Sequence, residues 1–251
     1  MSTESSLSFM DHLVELRYRI MRSLWAILAG MVVCYNFSGQ IFDIIRAPIQ
    51  PYLTNGGLVF TSPLDKFVAH LKIDFFGGIV LTCPFWIYQL WKFLSPGLYD
   101  RERRFAFAFI GAGTSLFAAG VCFAYFLVLP MAFQFLMTFG GDTDKPMITI
   151  EKYLSFFVNT SLGFGLSFEM PLVITLLGML GIVSQQFLRE KRRYAVLIIA
   201  IVSAIITPPD LISMLIMLVP MLLLYELSIL AVGFVAPKND LDLEQSPTEN
   251  I

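Results

Sequence analysis

The sequence predicts an all-α, polytopic membrane protein with six transmembrane helices and both termini in the cytoplasm. Three observations predict it. The first is composition: 57% of the 251 residues are hydrophobic and 14% charged, with a mean hydropathy of +0.73, whereas a soluble domain carries roughly a quarter charged residues. The second is a series of six apolar runs, several near the ~20 residues that a spanning helix needs. The third is the placement of Lys and Arg. With six spans, twelve of the 17 fall on the side of the termini and five on the other. Cytoplasmic loops accumulate these residues.

Residues 1–235 read as one membrane domain. Over 6–20, Phe9, Leu13, Leu16 and Ile20 recur at helical spacing and make an apolar stripe. Ser8 is positioned as an N-cap, with Asp11 in the first turn. Asp11, Glu15 and Arg19 lie on another face at i, i+4 and i+8. Read as structure alone, a Glu15–Arg19 pair there contributes a few tenths of a kcal/mol. The first span follows at 21–37. The outer segment 38–66 contains Pro48, Pro51, Gly56, Gly57 and Pro63. Within it, Ile41-Phe42-Asp43-Ile44-Ile45 suits a short helix lying at the outer interface.

The second span is 67–93. A charged cytoplasmic loop follows, Phe93-Leu94-Ser95-Pro96-Gly97-Leu98-Tyr99-Asp100-Arg101-Glu102-Arg103-Arg104. Glu102 sits there among three arginines, and orientation by charge does not require it. It reads either as a local ion pair worth at most ~1 kcal/mol or as a carboxylate offered to a cationic ligand. The third span, 105–137, would run roughly 50 Å, beyond the ~30 Å hydrocarbon core. It must tilt, protrude or bend, and Pro130 is the expected bend.

The fourth span, 153–182, holds Glu169 near its middle, in Gly163-Phe164-Gly165-Leu166-Ser167-Phe168-Glu169-Met170-Pro171. An ionisable residue in a span costs at least ~2.5 kcal/mol on insertion scales and is a functional site by default. Pro171 cannot donate to the Ser167 carbonyl, so the structural alternative is a carboxyl bonded to that loosened backbone. Gly163 and Gly165 permit close approach of another helix. The fifth span, 194–206, is short, about 20 Å. The sixth, 211–235, is closely coupled to it through Thr207-Pro208-Pro209-Asp210, which reads as a tight reversal. Residues 236–251 form an acidic, polar tail, expected to be disordered and cytoplasmic.

Several function classes are disfavoured. There is no Gly-rich phosphate loop, metal box or basic nucleic-acid stripe, so no cofactor, metal or nucleic-acid partner is expected. Cys34, Cys83 and Cys122 all fall in apolar segments and read as small core residues. No cleavable signal peptide is legible at the start. Asp74 and Glu226 lie nearer helix ends, where water or snorkelling can solvate them. His12 and His70 lie near opposite faces, and no Ser/His pair is legible. An intramembrane hydrolase is therefore poorly supported. A proton-coupled small-solute secondary transporter using Glu169 remains as an alternative. Such transporters often carry inverted repeats and paired broken helices, and no repeat is legible here.

A set of motifs then occurs in order: His12-Leu13-Val14-Glu15-Leu16-Arg17-Tyr18-Arg19, Ser62-Pro63-Leu64-Asp65-Lys66-Phe67, Phe93-Leu94-Ser95-Pro96-Gly97-Leu98-Tyr99 with Glu102-Arg103-Arg104, Phe168-Glu169-Met170-Pro171, and Thr207-Pro208-Pro209-Asp210. In these the chain resembles the TatC family, the multi-spanning receptor component of the twin-arginine protein translocase, and is similar to its enterobacterial type. The resemblance covers everything but the tail. It implies a non-enzymatic core subunit of the bacterial cytoplasmic (inner) membrane, which binds twin-arginine signal peptides of folded cargo proteins at its cytoplasmic face. Transport would draw on the proton-motive force. The implied partners are the single-span subunits TatA and TatB, with self-association. The resemblance puts the signal-peptide site at Glu15, Glu102, Arg17 and Phe93 and the partner-helix contact at Glu169. Pro48 and Asp210 fall on other sensitive positions.

Guanidinium groups favour carboxylates in planar, bidentate geometry, so two acids from separate segments suit paired arginines. One conflict accompanies this. Arg17, Arg19, Arg101, Arg103 and Arg104 surround the site and repel a cationic ligand, and Asp11 and Asp100 offset only part of that. Either the arginines point toward lipid phosphates, or affinity is modest and the signal's apolar stretch supplies the remainder.

Overall fold

The computed structural model describes residues 2–53, 57–94, 106–138, 147–206 and 211–235. Among them the chain is helical, with one isolated bridge between Val59 and Thr149. Three helices are long and apolar enough to cross a membrane, and two bent pairs bring the number of spans to five. A shorter helix, Arg192–Ile206, makes the sixth.

The N-terminal amphipathic segment and the first span form one continuous helix, α1 (Ser2–Tyr35). The chain then turns through 88° into α2 (Ser38–Arg46). This is the short outer helix expected at 41–45. Two tyrosines from elsewhere serve the carbonyls of its last turn, where helical bonding runs out and Ile44 is left with a single 3.2 Å bond from the Ala47 N–H. Tyr125 donates to the Ile44 carbonyl at 2.9 Å, and Tyr153 donates to the Ile45 carbonyl.

The second span is bent, which 67–93 as a straight run did not anticipate. It divides into α3 (Pro63–Leu81) and α4 (Cys83–Leu94), meeting at 57°. Pro84 lacks a donor, and its ring disfavours a continuous helix through Val80. Side chains add bonds to the backbone carbonyls here, that of Gly78 already accepting the Thr82 backbone N–H at 3.0 Å. Thr82 Oγ1 donates to the Gly78 carbonyl at 2.7 Å, and the Trp86 indole donates to Ile79 at 3.1 Å. At this elbow α3 presses against α1. A Cβ added at Gly78 would lie 2.8 Å from the Ile27 carbonyl oxygen, and one at Gly30 would lie 2.8 Å from the Thr82 methyl. Glycine is what the crossing admits.

The third span comprises α5 (Ala106–Phe123), a π turn (Ala124–Val128) and α6 (Leu129–Thr138). Phe107–Thr138 counts as a single span. The π turn ends two residues before Pro130, so the wide turn falls where the proline ring would meet the Phe126 carbonyl. The fourth span is α7 (Ile150–Phe168) followed by α8 (Met170–Met179). It crosses α5 closely: a Cβ on Gly120 would stand 2.6 Å from the Phe164 carbonyl oxygen, and one on Gly165 would stand 2.7 Å from the Phe117 ring. A short α9 (Gln185–Glu190) leads into α10 (Arg192–Ile206), and α11 (Leu211–Val235) closes the bundle.

Three apolar clusters hold these helices. One joins α2, α3, α6 and α7 through Ile45, Ile73, Phe133, Tyr153 and Phe157. Another joins the π turn, α7, α10 and α11 through Val128, Phe164, Ile199, Met217 and Met221. A small one, Cys83, Ile87 and Phe117, sits between α4 and α5. Arg192 at the start of α10 meets Glu226 near the end of α11 at 2.7 Å. The two helices are thus antiparallel, as the reversal at 207–210 requires, although those four residues lie outside the described residues. The same contact solvates Glu226.

Candidate functional site

Where α1 and α4 approach near their cytoplasmic ends they leave a groove of about 380 Å³. Leu16, Ile20, Leu24 and Ile27 line one wall, spaced to share a helix face. Trp86, Leu90 and Phe93 line the other. The groove is apolar except for Arg19 and Ser23 of α1 and Gln89 of α4, whose Oε1 is buried with no hydrogen-bond partner among the described residues. A buried amide oxygen left in that state is costly. Arg19 stands at the mouth and pairs with Glu15, its Nε donating at 3.2 Å. An acid, a basic residue already held by it, and an apolar slot thus lie in sequence along one flank.

The predicted site residues distribute as follows. Glu15 and Phe93 belong to this groove or its rim. Arg17 does not: it lines a different concavity with Val14, Tyr18 and Trp25. Residues two apart on a helix do not share a face, so Glu15 and Arg17 diverge. Pro48 lies at the other end of the molecule, between α2 and the 3₁₀ turn Gln50–Tyr52, beside the fully buried Ile49. Glu102 and Asp210 lie outside the described residues.

Glu169 makes a second site. It occupies the break between α7 and α8, with φ −74° and ψ −13°. The ten-residue α8 separates it from the cytoplasmic end by about 15 Å, so it sits off the middle of the span, toward the cytoplasm. Its residue is 6% exposed, and Oε1 has no partner among the described residues. The expected bond to the loosened backbone is absent at that oxygen. Ser167 instead donates its hydroxyl to the Gly163 carbonyl at 2.6 Å. Gly113 makes room for the carboxyl: a Cβ there would stand 3.3 Å from Oε2 and 3.1 Å from Ile87. Ile87 and Gln89 point to different faces of α4, so this site and the groove are separate.

Two readings need correction. Asp74 is not solvated at a helix end. It is 1% exposed, and neither carboxylate oxygen has a partner among the described residues. It lies one turn before Gly77 and Gly78, on the face of α3 that those glycines press against α1. A Ser/His pair also exists. Ser38 Oγ and His70 Nδ1 share a hydrogen bond of 2.7 Å, formed only because the turn at 35–38 lays α2 against α3. The pair ties α2 down, and among the described residues no carboxylate bonds the ring. Sequence reasoning also passed over Gln89, although an uncharged amide inside a span is itself a signal of interhelical bonding. No group of three or more His, Cys, Asp or Glu suited to a metal occurs among the described residues.

Comparison with known proteins agrees with this architecture. The profile of the family "Sec-independent protein translocase protein (TatC)" matches residues 11–220. The TatC protein of Desulforapulum autotrophicum is 39% identical over 248 residues, 98% of this chain and 92% of that one. The TatC protein of Carboxydothermus hydrogenoformans is 41% identical, with 94% and 96% covered. A crystal structure of the twin-arginine translocase receptor TatC superposes with a TM-score of 0.80 at 34% identity, over 89% of this chain and 99% of that one.

Proposed function

Because the chain belongs to the TatC family, and so is a multi-pass membrane component of the Sec-independent protein translocase and not an enzyme, we propose that its α1–α4 groove reads twin-arginine signal peptides at the cytoplasmic face of the bacterial inner membrane. The observation that carries this reading is the Glu15–Arg19 pair at the mouth of an apolar slot. A signal peptide joins paired arginines to an apolar stretch, and the site joins an acid to an apolar groove in the same order. Arg19 acts as a resident placeholder. An incoming guanidinium takes its position on Glu15, so an ion pair is exchanged and no bare acid is exposed at rest. Phe93 and Leu90 then pack the apolar stretch. Glu102, which follows α4 in the sequence, accepts the second arginine. The resemblance adds Arg17 to the set. Its side chain leaves the other flank of α1, so its effect on the cargo is electrostatic. Glu169 supports assembly with the helices of TatA and TatB, in a cycle drawing on the proton-motive force.

Fluorescence anisotropy of a labelled twin-arginine peptide tests the exchange. A hydrogen bond to a charged group contributes roughly 1.5–3 kcal/mol. Glu15→Gln therefore weakens binding about tenfold or more. Glu102→Lys weakens it further than Glu102→Gln, because reversal adds repulsion. Arg19→Gln leaves binding intact or tightens it. Equal affinity in the wild type and all the acid variants would remove these acids from the site.

A further inference from the structure

The flank of α1 turned away from the groove carries a second concavity of about 470 Å³, lined by Val14, Arg17, Tyr18, Met21, Arg22 and Trp25. Their spacings of three, four and seven place them on one helix face. Arg22 Cζ stands 5.4 Å from the centroid of the Tyr18 ring. The side chain thus reaches back one turn toward the cytoplasm, and its guanidinium arrives level with Tyr18, beside Arg17. Neither arginine has a carboxylate partner among the described residues. Tyr18 is 63% and Trp25 67% exposed, so nothing among the described residues covers this flank.

Depth decides what meets it. From Arg22 to Tyr35, at the outer end of α1, is roughly 20 Å of helix, shorter than the ~30 Å hydrocarbon core. Arg22 therefore starts inside the cytoplasmic leaflet and Arg17 near its edge. A charge at that depth is costly unless it is paired or snorkels. Tyr18, level with Arg17, is of a type that favours the headgroup level, and Trp25 lies one turn deeper than Arg22, at acyl-chain depth. The counter-ion that this leaflet supplies is lipid phosphate, whose oxygens match the planar guanidinium fork.

We propose that this flank of α1 binds the phosphate headgroup of an anionic phospholipid of the cytoplasmic leaflet, clamped between Arg17 and Arg22 with an acyl chain along Met21 and Trp25. One consequence rests on the cargo reading above. The bound lipid neutralises cationic charge on the helix that carries Glu15, across a helix about 10–12 Å wide, which is comparable with a Debye length of about 8–10 Å. The repulsion that Arg17 would exert on a twin-arginine ligand is then cancelled by the membrane.

The full chain in nanodiscs of phosphatidylcholine doped with phosphatidylglycerol tests both statements. Native mass spectrometry after extraction counts the retained phosphatidylglycerol. The wild type retains it. R17Q/R22Q retains it roughly 30-fold less, at about one kcal/mol for each basic residue near the surface. R17K/R22K, which keeps charge and loses the fork, falls between them. Equal retention by wild type and R17Q/R22Q overturns the site. Displacement of the lipid by inorganic phosphate at matched concentration overturns its assignment to a membrane ligand. Retention of a second copy of the chain in place of lipid does the same. For the consequence, wild-type affinity for a twin-arginine peptide falls when phosphatidylcholine replaces phosphatidylglycerol, whereas that of R17Q/R22Q does not change with lipid. Lipid-independent affinity in the wild type overturns the neutralising role. A chain that holds phosphatidylglycerol here and binds no twin-arginine peptide in either lipid contradicts the cargo reading and leaves the lipid site standing.

Discussion

Glu169 Oε1 is buried and has no partner among the described residues, in a cleft that Gly113 keeps open by lacking a side chain. A buried polar atom in this state costs free energy that a stable fold would ordinarily avoid. On the proposed reading, a polar group on a partner helix relieves it. Glu169→Gln keeps the shape and a hydrogen-bonding end, so it retains partial transport. Glu169→Ala loses both, and reduces crosslinking to TatA or TatB helices while leaving twin-arginine peptide binding largely intact. Both readings are taken on one Glu169→Ala preparation. Collapse of peptide binding with partner contact preserved would reassign the residue to the cargo site or to the fold. At this scale the sequence was informative where one element determined the geometry. The Glu15–Arg19 pair at i, i+4 forms as spaced, and the divergence of Arg17 follows from the same helical period. Asp74 was misjudged because its burial depends on how closely Gly77 and Gly78 let α1 approach, a property of two helices together.

The caps and kinks belong to the scale of elements. Asp65 completes a capping box at the start of α3. Its Oδ2 accepts from the backbone N–H of Thr61 and of Ser62, each at 2.8 Å, and from the Thr61 hydroxyl at 2.9 Å. The Ser62 backbone bond, with those from Thr61, holds the carboxyl below its ordinary range. A carboxylate depressed on folding stabilises at pH above its unfolded value, about 3.9. That contribution is lost as pH falls through the lower folded value. Carboxyl chemical-shift titration in micelles should therefore give Asp65 a midpoint below 3.9, and Asp65→Asn should remove the acid-sensitive step in amide protection at Thr61 and Ser62. A midpoint at or above 3.9 contradicts the cap. The spans themselves were legible from length and hydropathy, and a loosened backbone near Glu169 from Pro171, although the division of the fourth span into two helices there was not. The 57° elbow at Thr82 was not, although Pro84 was in view. Whether a proline bends a span or is absorbed, as Pro130 is behind the π turn, depends on which side chains recover the lost backbone bonds. Trp86, whose indole donates to the Ile79 carbonyl, does so only in the folded chain.

At the scale of the whole molecule, six unequal spans leave polar features at separate levels. The α1–α4 groove lies near the cytoplasmic ends, Glu169 about one short helix beneath the same face, and the Ser38–His70 and tyrosine ties of α2 at the outer end. The charge asymmetry predicts this orientation, and the proposed roles of the two acid sites make mechanical sense only within it, with cargo read at the surface and partner helices met inside the bilayer. The groove was beyond sequence reading because neither α1 nor α4 is concave alone. Its slot arises from the angle at which the elbow directs α4. The most direct test of the account is a photo-crosslinker placed at Leu90, in the groove wall, compared with one at Ile44 on α2. A twin-arginine precursor added from the cytoplasmic side should crosslink at Leu90, lose that crosslink when its two arginines are changed to lysines or when Glu15 is changed to Gln, and give none at Ile44. Crosslinking at Ile44 in place of Leu90, or crosslinking at Leu90 indifferent to both changes, would contradict it.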